Sequence, residues 1–126
     1  MSDYFTQSEK TCQCGCGLNL VDKADNMDFL RALNTARELY GKEMNAISMT
    51  RCPAHNKEIG GAPLSAHLDG RGADIQCFGT QERLRMVWAL AKAGFRRFEL
   101  KRGNVHCDMK RNAPDMLTFL TDEGMV

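Results

Sequence analysis

Two of the three histidines in this chain stand where an imidazole can work as a ligand. His67 lies in a glycine-rich stretch seven residues before Asp74, and His106 lies in the alternating segment VHCDM. Two imidazoles and a carboxylate, brought together from a loop and two strands, make a three-ligand zinc site with an open fourth position. That arrangement suits hydrolysis, because zinc lowers the pKa of a bound water to about 7 and polarises a carbonyl. If FRRFELKRGNVHCDMK forms a hairpin turning at Arg102-Gly103, Glu99 faces His106 and can serve as general base. Asp108 shares the same polar face. Taken singly, each of these residues is more often an ordinary loop or surface residue, and spacing alone leaves the two readings undecided.

The six cysteines divide by spacing. Cys12, Cys14 and Cys16 crowd into TCQCGCG, and Cys52 in RCPAH is a candidate fourth thiolate for a structural metal. Zinc cysteines are usually two to four residues apart. The tighter spacing here keeps free thiols, or a disulfide formed after release, open beside the metal. Cys77 and Cys107 fall at apolar positions and read as buried small hydrophobes. His55, just after Pro53, reads as a loop residue.

The elements that must position these groups follow from periodicity. Met27, Leu30, Leu33, Ala36 and Tyr40 recur at helical spacing, predicting a helix over about 26–40, capped by Asn26 and stopped by Gly41. A short strand is expected near Ala46–Thr50, with Ile47 and Met49 alternating against polar neighbours. From Pro53 to Gly72 the sequence is turn-rich and reads as a functional loop of about 20 residues. The strand ADIQC follows, then a helix capped by Thr80 with Leu84, Val87, Trp88 and Ala91 inward, then the hairpin. Two helices with a few antiparallel strands make an α+β domain.

Length and composition fit one domain over 1–126. With 17 Lys+Arg against 16 Asp+Glu, the chain lacks the basic stripe of a nucleic-acid module. No apolar run approaches the ~20 residues of a membrane span. The amino-terminal residues do not resemble a signal peptide, so synthesis in the cytoplasm is expected, with any action on a cell wall following release.

The run Ser65-Ala66-His67-Leu68-Asp69-Gly70-Arg71-Gly72-Ala73-Asp74 resembles the signature Ser-x-His-x-x-Gly-x-Ala-x-Asp of the zinc D-Ala-D-Ala peptidase family. Val105-His106-Cys107-Asp108 resembles that family's second-histidine strand. Ser65 to Lys110 is also similar to the amino-terminal signalling domain of hedgehog proteins, which shares the fold and zinc site. TCQCGCG, SMTRCPAHN and EIGGAPLSAH resemble the small bacterial and phage members, so the resemblance runs from Phe5 to about Met109.

The resemblance implies a hedgehog/DD-peptidase-like α+β fold: a small antiparallel sheet, two main helices and a long glycine-rich loop. It implies one zinc per chain on His67, Asp74 and His106, with Ser65 binding substrate near the metal. Arg51 matches the arginine that approaches the scissile carbonyl or developing oxyanion, a task suited to a fixed charge with a fork of donors. Gly72 replaces the signature alanine, and Gly103 stands where many family enzymes place an acid. Glu99 matches the hedgehog-like glutamate if one extra turn residue is allowed; Asp108 is the alternative base or an orienting group. The implied function is a monomeric zinc peptidase cutting D,D- or L,D-bonds in peptidoglycan peptides, as a phage lysis enzyme or a cytoplasmic dipeptidase. The rival is a zinc-bearing, hedgehog-like binding domain without turnover.

Overall fold

The computed structural model describes residues 2–119. Helix α1 (Gln7–Lys10) is opened by a capping box: the Thr6 hydroxyl accepts from the Glu9 N–H, and the Glu9 carboxylate accepts from the Thr6 N–H. A 3-10 turn (Ala24–Asn26) leads into α2 (Met27–Tyr40), which Gly41 ends in the left-handed conformation that glycine adopts without strain. Then come β1 (Ala46–Ser48), α3 (Pro53–Glu58), a second 3-10 turn (Ala66–Asp69), β2 (Gly72–Gln76), α4 (Thr80–Ala93), β3 (Arg97–Leu100), β4 (Asn104–Asp108) and β5 (Met116–Phe119).

The strands form one sheet in the order β1-β2-β4-β3-β5. The hairpin register is the expected one, with Glu99 opposite His106 and Leu100 opposite Val105. The sheet is α+β in character but mixed rather than antiparallel, because β5 runs parallel to β3. After β4 the chain crosses back outside β3, and there the Arg97 guanidinium donates to Pro114 O at 2.6 Å and Met116 N–H to Arg96 O at 2.9 Å. The stretch 53–72 is not a plain loop either. Pro53 starts α3 at a position where its missing N–H costs nothing, and Ser65 caps the 3-10 turn.

One sheet face is apolar. Ala73, Ile75, Val105 and Cys107 are fully buried there, in a core with Phe29, Leu30, Leu33, Met86, Ala89, Leu90 and Phe95. Burying each large side chain contributes roughly 1.5–3 kcal/mol, and Phe29 and Phe95 add an edge-to-face pair at 5.9 Å. Two expectations about this core are corrected. Helix α4 turns Met86, Ala89 and Leu90 inward, whereas Leu84 and Trp88 are 70% and 53% exposed. Both stripes satisfy a 3.6-residue period, and the one with Ala89 allows close approach where Trp88 would hold the helix off. Ile47 is also exposed, because the register shifts between Ala46 and Ser48 and sends Ala46 and Met49 inside.

The opposite face carries polar residues in register. Ser48 pairs with Asp74, Asp74 with His106, His106 with Glu99, and Glu99 with Thr118, making one row across all five strands. Gly70 ends the second 3-10 turn at φ 72°, where a Cβ would lie 2.5 Å from Leu20 Cβ and 2.8 Å from the Leu20 carbonyl carbon. Gly70→Ala is therefore expected to cost at least about 2 kcal/mol, from strain plus a backbone clash, readable as a lowered urea midpoint. Beside it, buried Arg71 donates to Met109 O and Asn26 Oδ1 and makes a two-pronged pair with Asp28 at 2.7 and 2.8 Å. No helix among the described residues is long and apolar enough to cross a membrane.

Candidate metal centre

Three elements deliver the candidate ligands. β2 and β4 place Asp74 and His106 side by side, and the 3-10 turn lowers His67 onto them, with the two imidazole centroids 5.2 Å apart. His106 Nδ1 lies 2.8 Å from Asp74 Oδ1, and His67 Nε2 lies 3.3 Å from the same oxygen. All three side chains are buried, with ligand atoms within 4.8 Å of one another. The edge of a zinc tetrahedron with bonds of 2.0–2.1 Å is about 3.3 Å, so the spacing suits a metal of that size.

The proton positions fit a cation as well. His67 Nδ1 is 2.6 Å from the Met49 carbonyl, which can only accept, so Nδ1 carries the hydrogen. In the neutral ring this leaves the Nε2 lone pair facing a carboxylate oxygen, an arrangement that a cation between them resolves. His106 Nε2 is 2.7 Å from Asp108 Oδ2, which leaves Nδ1 as the nitrogen turned to the centre. Asp108 in turn accepts from Arg97 Nε at 2.7 Å and Lys110 N–H at 3.0 Å. Every oxygen of Asp108 is engaged, whereas Glu99 has no hydrogen-bond or ion-pair partner among the described residues.

Burial works against the imidazolium of His106, but its bonds to Asp108 and Asp74 outweigh burial and raise its pKa to about 9 in the metal-free protein. Burial likewise opposes the Asp74 carboxylate, yet His106 and His67 hold it far below the usual range. A raised histidine stabilises fully below its unfolded value of 6.5 and loses that contribution as pH climbs through about 9. A depressed carboxylate stabilises above 3.8 and loses that contribution as pH falls below it. The stability advantage of the metal-free protein over its His106→Ala variant is thus expected to be greatest between about pH 4 and 6.5 and to shrink on either side. Urea midpoints of the two proteins across pH 3–10 measure it; a constant difference from pH 6 to 10 would contradict the paired imidazolium. Metal displaces the Nδ1 proton, so its affinity should rise over the same alkaline interval.

Around the centre lies a cleft of about 320 Å³, lined by Arg51, Ser65, His67, Glu99, His106 and Asp108 together with Lys101 and Lys110. Arg51 is buried at its mouth: Nη1 donates to Asn56 Oδ1 at 3.0 Å, Nη2 is 3.9 Å from Asp74, and Nε has no partner within the described protein. Ser65 serves the turn itself, its hydroxyl accepting from His67 N–H at 3.2 Å.

Sequence reasoning missed four supporting groups: Met49 O on His67, Asn56 on Arg51, Arg97 on Asp108, and Gly61. A Cβ at Gly61 would sit 2.0 Å from Asn56 Oδ1, so its glycine keeps room for the Asn56–Arg51 contact. The Pro at the start of α3 was the one signal that could have found Asn56. His55, expected in a loop, lies instead in α3, and it is no part of the cluster. Cys77 and Cys107 are buried in the core, as expected.

Residues 3–108 match the family described as Peptidase M15. No curated protein matches the chain at a significant level.

Proposed function

The chain belongs to the M15 peptidases, and from that membership we propose that it is a zinc-dependent peptidase acting on bacterial cell-wall peptides, of D,D- or L,D-specificity. The observation that supports it most is the row itself: Asp74 and His106 paired across the sheet, His67 above them, and Glu99 next in register on the cleft side. His67 Nε2, an Asp74 oxygen and His106 Nδ1 would hold the zinc. When bound there, zinc supplies a water of lowered pKa and an electrophile for the substrate carbonyl.

The residues of the chain do the rest. The Glu99 carboxylate takes the proton from the attacking water and passes it to the leaving amine nitrogen, a transfer that its lack of other partners among the described residues permits. Arg51, its Nη1 fixed by Asn56, turns guanidinium donors toward the oxyanion that develops on the carbonyl. Asp108 keeps the hydrogen of His106 on Nε2 and so holds the ring for ligation. Lys101 and Lys110 at the cleft rim suit a substrate that ends in a free carboxylate. A phage lysis enzyme, whose substrate is the cell wall, is the setting we propose.

Incubating the purified chain with peptidoglycan and defined muropeptides, with and without chelator, tests the proposal by mass spectrometry of the products. Release of a terminal residue or cross-bridge that chelator abolishes is expected. A metal-loaded protein that cuts no wall peptide would instead favour a non-catalytic binding domain, the reading kept open by glycine at position 103.

A further inference from the structure

A second cluster of potential ligands includes Cys52, the residue that follows Arg51. We propose that Cys12, Cys14, Cys16 and Cys52 bind a zinc ion of their own, a four-thiolate site that clamps the amino-terminal loop to the start of α3. The four sulfurs lie within 4.8 Å of one another. Cys12 and Cys14 Sγ are 3.5 Å apart, and Cys14 and Cys52 Sγ are 3.7 Å apart. A zinc tetrahedron with Zn–S bonds of 2.3 Å has edges of about 3.8 Å, so the cluster is already close to the required size. A disulfide would join one pair at the expense of the other two sulfurs. A metal uses all four.

The local backbone explains how so short a spacing converges. Gly15 N–H donates to Cys12 O at 3.3 Å, closing a turn, and Cys12 N–H donates to Leu18 O at 2.8 Å, closing the loop around it. Gly15 and Gly17 take φ of 88° and 86°, which side chains resist, and these kinks fold the three cysteines toward one point instead of along an extended line. Cys52 arrives from a segment far along the chain, as the residue that caps α3. Main-chain donors already face the sulfurs: Cys52 N–H points at Cys12 Sγ and His55 N–H at Cys52 Sγ, both at 3.4 Å. Such donors stabilise thiolate charge, which metal binding requires. On binding, the four thiols release their protons to solvent and each sulfur donates a lone pair to Zn²⁺. Soft sulfur donors in a closed tetrahedral set select zinc over magnesium or calcium.

The clamp reaches the cleft through one residue. Arg51 precedes Cys52, and its N–H donates to His67 O at 3.0 Å. Cysteine-bound zinc therefore anchors the segment that carries the cleft arginine, although no fourth ligand position is left for chemistry. The proposal is independent of the His–Asp centre, and the experiment separates them.

Zinc is counted by mass spectrometry in the full chain purified under reductant, in Cys14→Ser/Cys16→Ser, and in His67→Ala/His106→Ala. The cysteine variant is expected to hold one zinc per chain fewer than the parent. The histidine variant should keep a zinc that a mercurial thiol reagent releases completely. Cobalt loading guards against a variant that merely misfolds: the parent and the histidine variant should show intense sulfur-to-cobalt charge-transfer absorption, and the cysteine variant should not. Equal zinc in the parent and the cysteine variant, no metal released by the mercurial, or cobalt spectra without sulfur bands would overturn the proposal.

Discussion

His106→Ala is expected to empty the His–Asp centre and reduce peptide hydrolysis to background. Two protein ligands remain, too few to hold zinc in the way that three with an open position do. The loss should also appear in stability, because a metal that binds only the native state adds about 2.7 kcal/mol when present at a hundred times its dissociation constant. Metal content, hydrolysis of a muropeptide and the zinc-dependent rise in unfolding temperature should therefore fall together. His67→Ala should behave alike, with one difference. His106 also satisfies Asp74 and Asp108, so its removal should cost the metal-free fold more than the loss of His67. A His106→Ala enzyme that kept parental turnover would place the chemistry elsewhere in the chain.

The second large effect concerns two carboxylates on one face. Glu99→Gln is expected to retain zinc and substrate binding while lowering kcat by ~10²–10⁴-fold, the usual worth of a general acid–base group. Asp108→Asn should cost only ~10–100-fold, seen chiefly as weaker metal affinity, because Asp108 acts on His106 rather than on the substrate. Their environments motivate the ranking: Asp108 is bound by His106, Arg97 and Lys110, whereas Glu99 lines the cleft without a partner among the described residues. Metal content and kcat measured side by side decide it. The reverse ranking would transfer the base role to Asp108.

Much of this was legible in the residues. The period-2 alternation of the hairpin, with Arg102-Gly103 at its turn, is a local pattern, and it yielded the pairing of Glu99 with His106. The helix around Leu30 and Leu33 was readable from its spacing and its terminal glycine. Less legible were elements whose signals are short. The Thr6–Glu9 capping box and Pro53 each start a helix of one or two turns, too brief for a periodic signature. β5 has no partner within its own stretch of sequence, and its parallel pairing with β3 exists only because the chain crosses back.

The choice of candidate ligand types, two imidazoles and a carboxylate, was set by the sequence itself, since donor chemistry belongs to single residues. Their meeting was decided by tertiary structure. Asp74 and His106 are 32 positions apart and touch only because β2 pairs with β4 in one register; a slip of one residue would turn every side chain of the row to the opposite face. The tautomer of His67 depends on a carbonyl 18 positions away, and the orientation of Arg51 on Asn56 and on the room left by Gly61. The inward stripe of α4 was likewise chosen by what it packs against. The cysteines make the same division: TCQCGCG supplies three sulfurs, but the fourth is brought 38 positions along the chain from Cys14 by the docking of α3. Residue identity and local period are properties of a few neighbours in sequence, whereas register, helix face and ligand convergence are settled by long-range packing.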